Sequence, residues 1–106
     1  MTTEKQDQFN GDKHDEAVYS LRLFVAGTSA VSVRAINNLK NVLEQNLKGR
    51  YDLEIVDVYQ QPDLAQKENI TAVPLLVKQS PTPKRFLVGD MSDTQKVLRG
   101  LGLTYF

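Results

Sequence analysis

The sequence predicts one α/β domain, because two strand-like runs flank a single amphipathic helix. The first run covers residues 21–27 and leads directly into a helical segment at 28–47. After a short turn comes the second run, residues 51–59. A strand, a helix and a strand joined by such short connections form a parallel, right-handed crossover unit.

The first strand and the helix carry the periodicities expected of them. The strand alternates apolar residues with others, which predicts one buried face at Leu21, Leu23 and Val25. Thr28 or Ser29 can cap the helix by accepting backbone N–H bonds. The helix then buries one stripe formed by Val33, Ile36, Leu39, Leu43 and Leu47. Gly49 stands where a left-handed residue ends a helix.

The second half predicts smaller elements. Residues 61–67 permit a short helix with Pro62 in its first turn. The run 75–77 after Pro74 indicates a strand, and the turn 81–83 leads into residues 85–88 as an antiparallel hairpin. These strands complete the sheet.

The last element is compatible with two structures. Asp90, Ser92 or Asp93 can cap a helix that runs through Thr94, Val97, Leu98 and Leu101. Gly100 and Gly102 oppose it, since an interior glycine costs a helix about 1 kcal/mol relative to alanine. Residues 103–106 have β-branched and aromatic character instead. Helix and strand are therefore both open for this stretch.

The order of these elements is that of a thioredoxin-like fold, but the redox chemistry is missing. A redox member carries Cys-x-x-Cys where the first strand meets the first helix, because a helix N-terminus stabilises a thiolate. Here that place reads Gly27-Thr28-Ser29-Ala30, and the chain contains no cysteine. We therefore expect a function other than electron transfer.

Composition excludes several classes of function. Thirteen basic and thirteen acidic residues give a net charge of zero, which disfavours binding to nucleic acid or to a membrane surface. We expect residues 1–16 to be a disordered polar tail and residues 17–106 to be a single domain. The only histidine, His14, lies in that tail and is expected to be solvated, with no metal site. No apolar stretch suggests a signal peptide, so the expected location is cytoplasmic.

Four segments together carry a resemblance to a known family. They are LRLFVAGTSAVSVRA, LKGRYDLEIVDV, QPDLAQKENITAVPLL and SPTPKRFLVGDMSDTQKVLRGLGLTY, in this order and without a visible gap. Over about residues 18–105 the chain resembles the KaiB family of circadian-clock proteins. It is also similar to the sensor domain at the start of the clock histidine kinase SasA.

The resemblance implies a protein that is not an enzyme, has no cofactor and acts by binding. KaiB proteins dock on the RecA-like ATPase KaiC, and the docked form captures KaiA and competes with SasA. The family is metamorphic: a ground-state βαββααβ dimer or tetramer converts to a thioredoxin-like βαβαββα monomer, which binds the ATPase. For the free protein, we expect the ground-state oligomer.

The resemblance also implies roles for individual residues. The candidates for the partner-facing surface are the basic residues Arg22, Arg34, Lys78 and Arg85, each of which could equally be an ordinary solvated charge. Tyr19 and Tyr105 match ground-state subunit contacts, with a plain core role as the rival interpretation. Pro74, Gly100 and Gly102 lie in the segment that changes fold. No catalytic and no metal-binding residue is predicted.

Three further expectations concern single positions. Asp57, at the end of the second strand, is expected to have a structural role, either capping a helix or accepting backbone hydrogen bonds. Pro74 is expected to be cis in the thioredoxin-like arrangement and trans in the other. Asn69 and Glu54 stand where clock members favour basic residues, which favours a divergent branch whose KaiC-like ATPase serves stress or signalling.

Two alternatives to the ATPase-binding function remain open at this point. One is a degenerate thioredoxin-like protein that binds glutathione through Thr28 or Ser29 at the helix N-terminus. The other is an isolated SasA-like sensor domain.

Overall fold

A computed structural model of the chain describes residues 17–103. Its elements are β1 (Tyr19–Val25), α1 (Ala30–Asn46), β2 (Tyr51–Asp57), α2 (Pro62–Lys67), β3 (Leu75–Ser80), β4 (Arg85–Val88) and α3 (Thr94–Leu101). This βαβαββα order confirms the predicted thioredoxin-like fold. The expectation of the ground-state arrangement is wrong for this structure, because Leu101 ends a helix and belongs to no strand.

The four strands form one sheet in the order β2-β1-β3-β4. β1 pairs with β2 in parallel, as the strand-helix-strand unit predicts, and β3 pairs antiparallel with both β1 and β4. β2 ends earlier than predicted. The carbonyl of Asp57 accepts hydrogen bonds from the N–H groups of Gln60 and Gln61, which turns the chain towards α2.

α1 and α3 cover one face of this sheet. Ser29 caps α1, and its Oγ accepts the N–H of Ser32 at 3.3 Å. The core on this side is almost entirely apolar and contains Tyr19, Leu21, Leu23, Val25, Ala35, Leu39, Val42, Leu43, Leu47, Leu76, Met91, Val97 and Leu101. Full burial of one such side chain contributes about 1.5–3 kcal/mol, so this cluster is the main source of stability.

The opposite face of the sheet is also buried at one end. Phe24, Val56, Leu75 and Val77 form a second cluster, against which Leu64 of α2 and the segment 70–73 pack. The prediction of one buried face for β1 was therefore incomplete. Phe24 alternates onto the second face and is fully buried there because α2 covers it.

α3 shows how the ambivalent stretch resolves in this arrangement. Asp93 caps the helix by accepting the N–H of Lys96 at 3.1 Å. Gly102 ends it in the left-handed region (φ +79°). There the N–H of Gly102 donates to the carbonyl of Arg99, and the N–H of Leu103 donates to the carbonyl of Leu98. Such paired bonds satisfy carbonyls that a helix end leaves without partners.

Two predicted features lie outside the described residues, namely the tail 1–16 with His14 and the aromatic residue Tyr105. Within residues 17–103, no helix combines the length and the apolar character needed to cross a bilayer. The same range contains no cluster of three or more side chains suited to hold a metal ion.

Candidate partner-binding site

The junction of β1 and α1 is where a redox thioredoxin would hold its thiols. Here two hydroxyls occupy it. The Ser29 hydroxyl donates to Ser32 Oγ at 2.9 Å, and Ser32 Oγ accepts the N–H of Ala26 at 3.0 Å. Both side chains are thereby committed to closing the loop and capping the helix. The chain has no cysteine, and residues 17–103 contain no histidine.

Asp57 ties this junction to the loop that follows β2. Its Oδ1 accepts the N–H of Gly27 at 3.2 Å and the N–H of Tyr59 at 2.9 Å. Gly27 lies in the left-handed region beneath the Tyr59 ring, which a Cβ at Gly27 would approach at 3.6 Å. The predicted structural role of Asp57 as an acceptor of backbone hydrogen bonds is confirmed.

Pro74 also lies as predicted for the thioredoxin-like arrangement. The Val73-Pro74 peptide bond is cis. The carbonyl of Pro74 accepts the N–H of Gly89 at 3.1 Å, which joins the start of β3 to the end of β4.

Arg22 belongs to an ion-pair network that crosses the α2 side of the sheet. Its Nε contacts Glu54 Oε1 at 2.9 Å, and its Nη1 lies 3.9 Å from Glu68 Oε2. The Oε1 of Glu68 also forms an ion pair with the ammonium group of Lys84, at 3.3 Å. The network therefore links β1, β2, the end of α2 and the β3–β4 turn, so Arg22 is more than an isolated solvated charge.

Lys78 and Arg85 are cross-strand neighbours on β3 and β4. Only 4% of Lys78 is exposed, whereas Arg85 is exposed. Burial, and secondarily the charge of Arg85, lowers the pKa of the Lys78 amine below its ordinary value. Arg85 can thus contact a partner in this arrangement, and Lys78 is largely shielded from one.

Arg34 lies near the start of α1 with 58% of its side chain exposed. Its Nε is 3.5 Å from Asp90 Oδ2. Hydrogen bonds from Ser92, and secondarily Arg34, lower the pKa of the Asp90 carboxyl.

The four predicted basic residues therefore do not form one patch. Arg22 faces α2, Lys78 and Arg85 face the other side of the sheet, and Arg34 lies on α1.

The remaining predicted residues take core or backbone roles here. Tyr19 is buried in the main cluster at the start of β1, so its role in subunit contacts stays a prediction for the other arrangement. Gly100 lies inside α3, where a Cβ would be 3.5 Å from Leu87 Cδ2. Gly102 is the left-handed cap described above.

Sequence reasoning missed three exposed apolar side chains. Tyr59 after β2 is 75% exposed, and Phe86 and Val88 on β4 are 54% and 50% exposed. Alternation along 85–88 indicates that Phe86 and Val88 share a face, but only the strand order shows that β4 is an edge strand.

The segment 70–73 and α2 also line a cavity of about 190 Å³.

Comparison with known proteins gives consistent results. The family model described as "KaiB domain" matches residues 22–103. The "Circadian clock oscillator protein KaiB" of Picosynechococcus is 51% identical over 87 residues, which cover 82% of this chain and 84% of that protein. KaiB1 of Synechocystis is 49% identical over 87 residues, 82% of this chain and 83% of its own.

Solved structures give the same fold. The N-terminal domain of Synechococcus elongatus SasA matches with a TM-score of 0.67 and 23% identity, covering 85% of this chain and 89% of that one. Mitochondrial thioredoxin 3 of Saccharomyces cerevisiae matches with a TM-score of 0.66 and 16% identity, covering 81% and 78%. At these identities the likeness concerns the fold alone.

Proposed function

Because the chain belongs to the KaiB family, we propose that it is a non-enzymatic regulatory protein that binds a KaiC-like RecA-family ATPase. By binding, it modulates the phosphorylation or ATPase cycle of that partner, in a clock or in stress signalling. The observation that carries this proposal is the sequence similarity to proteins named as circadian clock oscillators. About half of the aligned residues are identical, and the alignment covers 82% of the chain.

The geometry of the β1–α1 junction supports a binding role over a catalytic one. A nucleophilic site needs a thiol or hydroxyl together with a base that can take its proton. The hydroxyls of Ser29 and Ser32 bond to each other and to the backbone, and the carboxylate of Asp57 accepts two backbone N–H groups. The junction is thus built as a rigid scaffold.

The proposed binding surface has two separate regions, one around the start of α1 and one at the start of β4. Arg34 presents an exposed guanidinium near the first turn of α1, and Arg85 presents another on β4. Tyr59 adds an exposed ring beside Gly27. Aromatic and arginine side chains are enriched among residues that dominate binding energy at interfaces. Arg22 contributes indirectly, because its ion pairs hold the end of α2 in place.

The fold change of the C-terminal half is part of this proposal. α3 has eight residues, of which Val97 and Leu101 are buried, and a glycine lies within it. Two arrangements of one sequence coexist only when they differ by a few kcal/mol, which suits so short an element. In the other arrangement the chain self-associates as a dimer or tetramer, with Tyr19 and Tyr105 in the contacts. Capture of KaiA or competition with a SasA-like kinase follows docking.

The test is direct mixing with the KaiC-like ATPase ring encoded in the same genome. We expect the chain to co-elute with the ring in size-exclusion chromatography. Arg34→Ala should weaken the complex roughly fivefold, the equivalent of about 1 kcal/mol, because an exposed interfacial charge is lost. Lys40→Ala, an exposed cation later on the same helix, is the matched control and should leave binding unchanged. Failure of the unmodified chain to co-elute would refute the proposal.

The rival interpretation, a glutathione-binding protein, gains no support from the hydroxyl geometry. Glutathione would have to displace the bonds that Ser29 makes to Ser32. We expect no heat of binding in a calorimetric titration with reduced glutathione. A measurable affinity that Ser29→Ala abolishes would favour the rival.

A further inference from the structure

β4 lies at an edge of the sheet that no described strand covers. It is last in the order β2-β1-β3-β4, and within residues 17–103 it pairs only with β3. The N–H of Gly89, just after β4, donates to the carbonyl of Pro74 at 3.1 Å. Bonded and non-bonded pairs alternate in an antiparallel ladder, so every second residue of β4 directs its backbone groups away from β3. Counted back from Gly89, these residues are Val88 and Phe86.

The side chains of β4 divide between the two faces of the sheet. Phe86 and Val88 lie on the face of the second cluster, the α2 side, and about half of each is exposed. Arg85 lies on the opposite face, the α3 side, as the cross-strand neighbour of Lys78. We call the outer side of residues 85–88, with these backbone groups and side chains, the β4 edge. It is apolar on one face and cationic on the other.

The cationic face of the β4 edge has no counter-charge in the part of the chain that the structure describes. Arg85 is exposed, and no carboxylate of residues 17–103 lies within ion-pair distance of it. Its neighbour is the buried amine of Lys78, whose pKa is lowered by burial and secondarily by the charge of Arg85. Lys84, in contrast, is already paired with Glu68. An acidic side chain placed beside Arg85 therefore relieves a repulsion between two cations.

We propose that the β4 edge accepts an extended segment of a protein partner in which two apolar residues are followed by an acidic one. The backbone of the segment bonds to Phe86 and Val88, since main-chain bonds supply affinity when a strand is added to a sheet edge. Its apolar side chains cover Phe86 and Val88 on the α2 side, and its acidic side chain pairs with Arg85 on the α3 side.

The strand geometry gives the order of residues in such a segment. In antiparallel pairing, from its N-terminus, it reads apolar, small, apolar, acidic, opposite residues 88, 87, 86 and 85. The second residue is small because it lies opposite Leu87, beside which α3 packs. The proposal goes beyond ATPase binding, because any partner with such a segment fits the β4 edge.

A second copy of the chain fits the β4 edge less well. Residues 84–89 contain two cations and no acid, so a second β4 offers Arg85 no counter-charge. β4 is also only four residues long, and the turn before it contains Pro81 and Pro83. Short edge strands that are flanked by lysine and proline resist open-ended association. The edge therefore favours a short segment of complementary charge.

A short peptide tests the β4 edge on the full chain alone. The probe is the end-blocked peptide Ser-Val-Ala-Val-Glu-Ser, titrated into the isotope-labelled chain and followed by the backbone amide resonances. We expect the amides of Phe86 and Val88 to shift, with half-saturation in the millimolar range, because their N–H groups gain bonds. The amides of Leu87 and Gly89 should shift much less, because their N–H groups already bond within the sheet.

Arg85→Ser tests the ion pair. It should weaken binding of the glutamate peptide about threefold and leave unchanged the binding of the same peptide with glutamine in place of glutamate. Lys48→Ser, which removes an exposed cation after α1, is the matched control and should change neither affinity. A general loss of structure in Arg85→Ser would weaken both peptides alike and would alter the circular dichroism.

Three outcomes overturn the proposal. The first is the absence of a shift at Phe86 and Val88 in the millimolar range, or shifts that are equally large at Leu87 and Gly89. The second is equal weakening of the glutamate and glutamine peptides by Arg85→Ser at unchanged circular dichroism. The third is a shift that appears without peptide as the protein concentration rises, which would assign the β4 edge to a second copy of the chain. None of these outcomes bears on whether the chain binds an ATPase.

Discussion

Replacing Gly100 and Gly102 by alanine, one at a time, should change stability in opposite directions. Gly100 lies inside α3 with ordinary helical geometry, and its new Cβ would meet Leu87 Cδ2 at 3.5 Å, a normal van der Waals contact. Alanine gains about 1 kcal/mol over glycine in a helix interior, so Gly100→Ala should stabilise the thioredoxin-like arrangement by up to that amount.

Gly102→Ala should have the reverse effect. Gly102 has φ +79° and directs the bonds that close the end of α3. A residue with a Cβ loses about 1–2 kcal/mol in the left-handed region. The two variants should therefore differ by about 2 kcal/mol in free energy of unfolding, although each adds the same methyl group to the same short segment.

Urea denaturation followed by circular dichroism measures this difference, and backbone chemical shifts of residues 94–101 report whether α3 is present. We expect the midpoint to rise in Gly100→Ala and to fall in Gly102→Ala at an unchanged slope. Equal shifts of the same sign in both variants would refute the assignment of Gly102 as a left-handed helix cap.

Two further predictions concern the charged groups. Glu68→Gln removes the carboxylate shared by Arg22 and Lys84, so it should lower stability by up to about 1 kcal/mol at low salt and by less at high salt. Asp52→Asn, on the exposed side of β2, is its control, and an equal loss in both would contradict the network. Lys78 has a lowered pKa when folded, so unfolding takes up a proton between the folded pKa and the ordinary lysine value. Stability of the unmodified chain should therefore rise with pH through that alkaline window, and Lys78→Met should remove the rise; a rise that persists in Lys78→Met would exclude Lys78 as its source.

The first half of the fold could be predicted because local chemistry and tertiary packing agree there. The alternation in β1 and the apolar stripe of α1 specify most of their buried faces, but Val33 of the predicted stripe is 45% exposed. Ser29 takes the N-cap position that its hydroxyl favours, and Gly49 is left-handed (φ +75°) in the turn after the Leu47 C-cap. The prediction of the strand-helix-strand unit followed from these features alone.

The second half could not be decided from the sequence, because propensity and packing act against each other. Gly100 weakens α3 as a helix, but the burial of Val97 and Leu101 favours it. Gly102 has no helical preference, yet it supplies the left-handed end that the helix requires. Whether such a segment is helix or strand depends on long-range contacts that a local pattern does not contain.

The candidate site was likewise predictable from the sequence only in part. Asp57 could be assigned a structural role from its position at the end of a strand. The partners of Arg22 could not be predicted, since its contacts with Glu54 and Glu68 depend on strand register and on the placement of α2. The exposure of Phe86 likewise follows from the position of β4 at the edge of the sheet.

We propose that this chain works by binding an ATPase ring in the thioredoxin-like arrangement, without chemistry of its own. The most direct measurement is the methyl and backbone carbon chemical shifts of residues 94–103 in isotope-labelled chain bound to the unlabelled ring. We predict helical shifts for Val97 and Leu101 in the complex. Extended-strand shifts at these residues, or a spectrum that the ring leaves unchanged, would contradict the account.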